Sequence, residues 1–323
     1  MSVLSGILRR VTVESRTPVA ARMAGTALTI ASAIGFGTSG PLARMAMDAG
    51  MTALQVATVR ITLAAVLLAA TLPLRGLSGL RGVRWRTLTG YALLAVVGVQ
   101  VLFFIAVARI PVGIAMTLEF TAPVLVSLWI RVVRRIRLPV HVWTGITLAT
   151  AGLAVVAQIW DGFRLDLIGL LAGLGTGLCT AGYYLLGEHI AGRADPLALT
   201  TCGMVLGAVA IGFVCPPWTI PMPVLATTGS LGAPLWSLLV ALVVLSTVLP
   251  YVLGVLALRH LSPALAAVLG LIEPVVAAAM AWLLLGQSLT AMQMVGAVVL
   301  LGGAALAQIA SAERPAPAQP LVP

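Results

Sequence analysis

Residues 101–130 read VLFFIAVARIPVGIAMTLEFTAPVLVSLWI, and residues 252–281 read VLGVLALRHLSPALAAVLGLIEPVVAAAMA. Each stretch is almost uncharged and each is interrupted once, at Arg109–Pro111 in the first and at Arg259–Pro263 in the second. An α-helix needs about 20 mostly apolar residues to cross a bilayer, so each stretch reads as parts of two crossings joined by a short turn. A shift of 151 superimposes them, and the match runs without a gap from 101–155 onto 252–306 with eleven identities. Pro123 falls on Pro274, Val124 on Val275, Leu138 on Leu289, Gly145 on Gly296 and Gly152 on Gly303. Identity in Ala- and Leu-rich sequence is cheap, but Pro and Gly mark backbone positions, and here they coincide.

Working outward, the whole chain has the same character. Of 323 residues 60% are apolar and 9% charged, where a soluble domain carries ~25% charged residues. Ten stretches are long and apolar enough to cross: 22–44, 52–73, 87–108, 112–131, 140–160, 166–187, 195–215, 234–258, 263–285 and 289–311. A second shift, of 144, brings Gly25 onto Gly169, so the repeating unit has five spans. An odd number of spans inserts the second copy upside down. The expected fold is an all-α integral membrane protein with ten transmembrane helices as two inverted five-helix repeats. Residues 1–21 form a cytoplasmic N-terminal segment, 22–160 the first repeat, 161–311 the second, and 312–323 a disordered Ala/Pro-rich tail. Inverted repeats are the build of secondary transporters, whose substrate sites lie near mid-membrane at the repeat interface.

The charge of +10 is a topology signal. With the N-terminus inside, fifteen arginines fall in cytoplasmic segments and three, Arg44, Arg109 and Arg164, in outer ones. That bias retains both termini in the cytoplasm. It also removes the nucleic-acid reading of a basic chain: the expected partners are the lipid bilayer and a small-molecule substrate, with no nucleic acid, and the expected state is a monomer. The chain contains no Lys and no Asn, both encoded by A/T-rich codons. A GC-rich bacterial gene follows, and with it a bacterial inner (cell) membrane.

Gly113-Ile-Ala-Met-Thr-Leu-Glu-Phe-Thr-Ala-Pro123, Leu271-Ile-Glu-Pro-Val275 and Leu284-Leu-Gly-Gln287 resemble the EamA family of the drug/metabolite transporter superfamily, in its threonine/homoserine-exporter-like branch. The family's segment usually ends in an acid, which Gln287 replaces here. The resemblance covers about residues 22–310 and implies small-metabolite transport, often efflux of amino acids or related compounds, without ATP.

Three ionisable residues lie inside spans: Arg60, Glu119 and Glu273. Each is expensive at a helix centre and calls for a partner or a task. At ~1.5 Å per residue, Arg60 lies ~13 Å and Glu119 ~12 Å below the outer face, and Glu273 ~16 Å from the inner face of a ~30 Å core. They therefore share one layer. One turn from Glu273 stand Ala266, Gly270 and Ala277; around Glu119 stand Ala115, Ala122 and Pro123. Small residues leave room for close helices or a cavity. Two readings stay open: a structural ion pair between Arg60 and one acid, or substrate and proton binding by Glu273, Glu119 and Arg60. Pro123 and Pro274 read as hinges. Thr38, Ser39, Gln100, Tyr183, Tyr184 and Tyr251 are path-lining candidates. Gly37-Thr-Ser-Gly40 matches an intramembrane-protease pattern, but its serine is distant in depth from His189 and His260. No catalytic residue, metal site or cofactor is expected. The sequence therefore reads as a secondary active transporter of a small polar metabolite, an amino acid or a relative, exported by proton exchange. The alternative is a passive channel or uniporter, or a membrane sensor.

Overall fold

The computed structural model describes residues 19–70, 83–157, 166–190, 195–220, 222–227, 232–257, 260–261, 266 and 269–312. Outside these lie most of the expected N-terminal segment, the tail from 313, the repeat boundary at 160–161, and Arg9, Arg10, Arg16, Arg75, Arg81, Arg164, Arg193, Arg259 and Arg314. The described regular elements are helices: α1 Val19–Gly37, α2 Ser39–Asp48, α3 Ala53–Ala69, α4 Trp85–Arg109, α5 Val112–Glu119, α6 Ala122–Val132, α7 Val140–Ala157, α8 Leu167–Ile190, α9 Pro196–Val214, α10 Leu235–Ala257, α11 Ile272–Leu285 and α12 Ala291–Ala312. A single turn, Met222–Leu225, precedes α10.

Five helices among the described residues are long and apolar enough to cross a membrane: Trp85–Arg109, Val112–Val132, Leu167–Leu186, Leu197–Val214 and Leu235–Ala257. They correspond to five of the ten expected spans. Ala53–Ala69, Val140–Val156, Ile272–Leu285 and Ala291–Ala307 are apolar but shorter. The expected span 22–44 is broken at Thr38, whose hydroxyl donates to Gly35 O at 2.7 Å. Pro41 then falls in the first turn of α2, where the missing N–H removes no helical hydrogen bond. Polar caps fix other starts. Thr52 and Gln55 form a reciprocal capping box on α3, Asp166 accepts from Gly169 N at 2.7 Å, and Asp195 accepts from Ala198 N at 2.9 Å.

The tightest crossing is between α7 and α12, and its glycines explain it. A Cβ on Gly145 would lie 2.7 Å from Gly303 O and Ala307 N; one on Gly296 would lie 2.7 Å from Val156 N. A Cβ on Gly152 would strike Leu300 N, and one on Gly303 would strike Ala149 N. These are backbone atoms and cannot swing aside. Every contact maps onto another under the shift of 151: 145 to 296, 149 to 300, 152 to 303 and 156 to 307. As the number rises along α7 it falls along α12, so the helices run antiparallel.

Other features recur at the same offset. A π-helical segment interrupts α4 at Ala92–Gly98 and α10 at Val244–Val248. The chain turns at Phe120–Thr121, between α5 and α6, and at Leu271, before α11. Among the described non-glycine residues the one with positive φ is Arg135, at 55°; 151 residues on stands Gly286, at 65°. Gly25 packs where a Cβ would lie 2.7 Å from His260, and Gly169 where one would lie 2.7 Å from Ile110 and 2.9 Å from Arg109. The first pair follows the 144 shift and the second the 151 shift.

A hydrophobic core joins α2, α3, α4, α5 and the first half of α10. Ala43, Val56, Ile61, Phe104, Val107, Val112, Leu118, Leu235 and Leu242 in it are fully or almost fully buried. The charged and polar groups described next border one side of it.

Candidate functional site

Arg60 projects from the middle of α3 and is 6% exposed. Its Nε donates to Thr247 Oγ1 at 2.7 Å, one Nη to Ser39 Oγ at 2.7 Å and the other to Ser246 O at 2.9 Å. Its guanidinium carbon stands 5.3 Å from the centre of the Phe104 ring. Ser246 and Thr247 lie in the π-helical segment of α10, a kind of distortion that often accompanies functional sites. Thr247 in turn donates to Leu242 O at 3.4 Å. Thr38 and Ser246 hydroxyls are 2.9 Å apart. Thr38 already gives its one proton to Gly35 O, so Ser246 is the donor in that pair.

The expected ion pair between Arg60 and an acid is not formed. The ion pairs among the described residues are Arg44–Asp48 at 2.9 Å and Arg109–Asp166 at 3.6 Å. The guanidinium is instead held by neutral oxygens, because α10 brings two hydroxyl-bearing residues and a carbonyl within reach. The acids are nonetheless close by. A chamber of about 140 Å³ is bordered by Arg60, Gln100, Ser39, Tyr251, Glu119 and Glu273. A second cavity, of about 280 Å³, is bordered by the same two acids together with Ser32, Thr180, Tyr184 and Gly254. Glu119, Glu273 and Phe36 border both and form the wall between them. Thr180 donates to Glu119 Oε1 at 3.4 Å. The small residues Ala122, Ala266 and Gly270 line the larger cavity, as the spacing around the acids implies.

Of the path-lining candidates, Ser39, Gln100 and Tyr251 border the small chamber and Tyr184 the larger cavity. Thr38 stands one hydrogen bond behind Arg60. Tyr183 packs edge-on against Tyr91, with ring centroids 5.4 Å apart, and borders neither space. In the Gly37–Gly40 segment, Ser39 Oγ accepts a hydrogen bond from Arg60 at 2.7 Å. The two prolines sit differently from a mid-helix hinge. Pro123 is in the first turn of α6 and Pro274 in the first turn of α11, each just after a turn in the chain. Pro123 lines the larger cavity, whereas Pro274 faces a separate groove beside Gly113, Trp282 and Gln287. Gln287 Oε1 accepts from Val112 N at 3.0 Å, satisfying a free N–H at the start of α5.

Sequence reasoning missed Ser246, Thr247, Thr180 and Phe36. The adjacent Ser246-Thr247 pair inside the apolar run 235–249 was the available signal, since buried hydroxyls need partners.

The family model that matches is described as the EamA-like transporter family, and it covers residues 23–158 and again 167–308. The chain belongs to this family. The two matched segments are successive copies of one family unit, and the chain is a multi-pass membrane protein. The threonine/homoserine exporter RhtA of Salmonella typhimurium (strain SL1344) is 33% identical over 201 residues, 61% of this chain and 62% of that protein. RhtA of Escherichia coli (strain K12) is 32% identical over 209 residues, 62% of this chain and 65% of that protein. The chain thus spans less than two thirds of the length of these curated relatives. A solved crystal structure superposes with a TM-score of 0.59, covering 88% of this chain and 96% of its own, at 16% identity. That likeness concerns the fold.

Proposed function

We propose that this protein is a secondary carrier that exports a small polar metabolite, an amino acid or a close relative, in exchange for protons. It has ten spans in two inverted five-helix repeats and lies in a bacterial inner membrane with both termini cytoplasmic. The repeat is supported by the α7–α12 crossing, where equivalent helices run antiparallel and exchange equivalent contacts. A two-fold axis lying in the membrane plane relates helices in this way; an axis along the membrane normal would leave them parallel. The substrate class is supported by the threonine/homoserine exporters among the relatives.

One observation carries the functional reading: Glu119 and Glu273, 154 residues apart in sequence, both border two adjoining cavities, and Arg60 borders one of them. Carboxyl groups inside a membrane protein that border cavities mark ion and substrate paths. In this proposal Glu273 is the first proton-carrying group and Glu119 the second, with Arg60 beside the substrate.

The test is transport by the purified protein in proteoliposomes, with threonine and homoserine as probes and an imposed proton gradient. Uphill movement should require the gradient and vanish with a protonophore. Glu273→Gln should abolish uphill movement and flatten its pH dependence while downhill exchange persists. If Glu273→Gln and Glu119→Gln both move substrate uphill at the wild-type rate with the same pH profile, neither acid carries the proton. A uniporter would then be the better reading.

A further inference from the structure

Gln100 lies on α4, two residues beyond the π-helical segment Ala92–Gly98, and is 5% exposed. Its Oε1 is buried and has no hydrogen-bond partner among the described residues. A buried carbonyl left without a donor is rare in a native structure and is costly to maintain. The same side chain borders the 140 Å³ chamber that contains Arg60. The guanidinium has five N–H groups, and three of them are engaged by Ser39, Thr247 and Ser246. Among the described residues, two N–H groups of a fixed cation and one amide oxygen are thus left without partners; both residues border the chamber, which Glu119 and Glu273 border as well. A compact zwitterion supplies what each lacks: a carboxylate for the guanidinium and an ammonium for the amide oxygen.

We infer that Gln100 is a specificity-determining residue: its amide oxygen accepts a hydrogen bond from the primary ammonium of the substrate, while the free N–H groups of Arg60 take the substrate carboxylate. The inference rests on the carrier reading above and adds to it which group distinguishes amino acids from their deaminated counterparts. A site built to hydrogen-bond a substrate group rejects analogues that lack it, because its own buried polar atoms are then left unpaired.

The experiment is counterflow in proteoliposomes with homoserine against 4-hydroxybutyrate, in which a hydrogen replaces the ammonium and no donor is left at that carbon. It uses wild type, Gln100→Met (similar in size, no strong acceptor) and Gln100→Glu (acceptor kept). Wild type should favour homoserine. Gln100→Met should raise the homoserine KM about tenfold and leave the hydroxy acid unchanged, collapsing the preference. Gln100→Glu should keep or sharpen it, and this arm carries the test if Gln100→Met does not fold. An unchanged preference in Gln100→Met, or an equal loss for both compounds, overturns the inference and makes Gln100 a packing or water-bound group. Loss of the preference in a folded Gln100→Glu protein overturns it as well. Transport of neither compound by wild type overturns the carrier reading itself, a different outcome from either of these.

Discussion

Gly302 and Gly303 are neighbours on α12 and should respond to the same substitution with opposite signs. A Cβ on Gly303 would fall on Ala149 N and within 2.6 Å of Gly145 O. Both are backbone atoms of α7, so relief requires the two helices to separate. Gly302 has nothing within 4 Å of its Cβ position. Replacing Gly by Ala inside a helix gains about 0.5–1 kcal/mol where there is space, and that gain alone should appear in Gly302→Ala. In Gly303→Ala the overpacking penalty of about 1–3 kcal/mol opposes it, and close approach of small residues is what holds membrane helices together. The two variants should differ by about 2 kcal/mol, or about 3 °C in melting temperature for a chain of this length, with wild type between them. Thermal unfolding of the detergent-solubilised variants, followed by loss of the monodisperse peak, measures this. By the repeat relation Gly152→Ala should behave like Gly303→Ala. Equal shifts for the neighbouring pair, or stabilisation by Gly303→Ala, would refute the steric account of the crossing.

The remaining expectations concern single helix ends. Arg135 adopts the left-handed region at φ 55°, which costs a non-glycine residue about 1–2 kcal/mol; Arg135→Gly should raise the melting temperature, and a decrease would show that the arginine side chain contributes more than its strain. Gln287→Ala leaves Val112 N without its acceptor and should lose about 1 kcal/mol, as other lost caps do. Gln287→Glu keeps an oxygen at the start of α5 and should melt at or above wild type, so a loss equal to that of Gln287→Ala would remove the capping role.

The repeat was legible because it is written in residues that constrain backbone. Gly145, Gly152, Gly296 and Gly303 stand in register since each meets a backbone atom of the opposite helix, and no side chain substitutes for their absence of a Cβ. Where the constraint is looser the register is lost from the sequence: Arg135 occupies a position whose equivalent is Gly286, and identity alone does not reveal that both turn the chain the same way. The two π-helical segments were invisible for a related reason. ALLAVVG and VLSTV share no residue pattern that announces a wider turn. That Arg60, Glu119 and Glu273 come together at one chamber was readable from span counting, because insertion depth follows from rise per residue. Their pairing was not, since depth says nothing about which helices are neighbours or what oxygens those neighbours bring.

The neutral partners of Arg60 have a consequence for the proposed chemistry. An arginine bonded to Glu119 or Glu273 would be a neutral pair with its donors saturated, and the chamber between them would have no reason to stay open. Burying an isolated cation is expensive unless hydrogen bonds replace its hydration. The hydroxyls of Ser39 and Thr247 and the carbonyl of Ser246 supply those bonds without supplying a counter-charge. The guanidinium is thereby fixed in place by α2 and α10 without an ion pair to either acid, and the two carboxyl-bearing residues border the same chamber. In the proposed transport cycle this separation is what lets a substrate enter between cation and acids. A variant that brings an acid into contact with the guanidinium, such as Ser39→Asp, should bind Arg60 tightly. It should therefore be well folded and transport-dead, whereas Ser39→Ala should retain transport with lower stability. A transport-competent Ser39→Asp protein would show that an uncompensated Arg60 is not part of the mechanism.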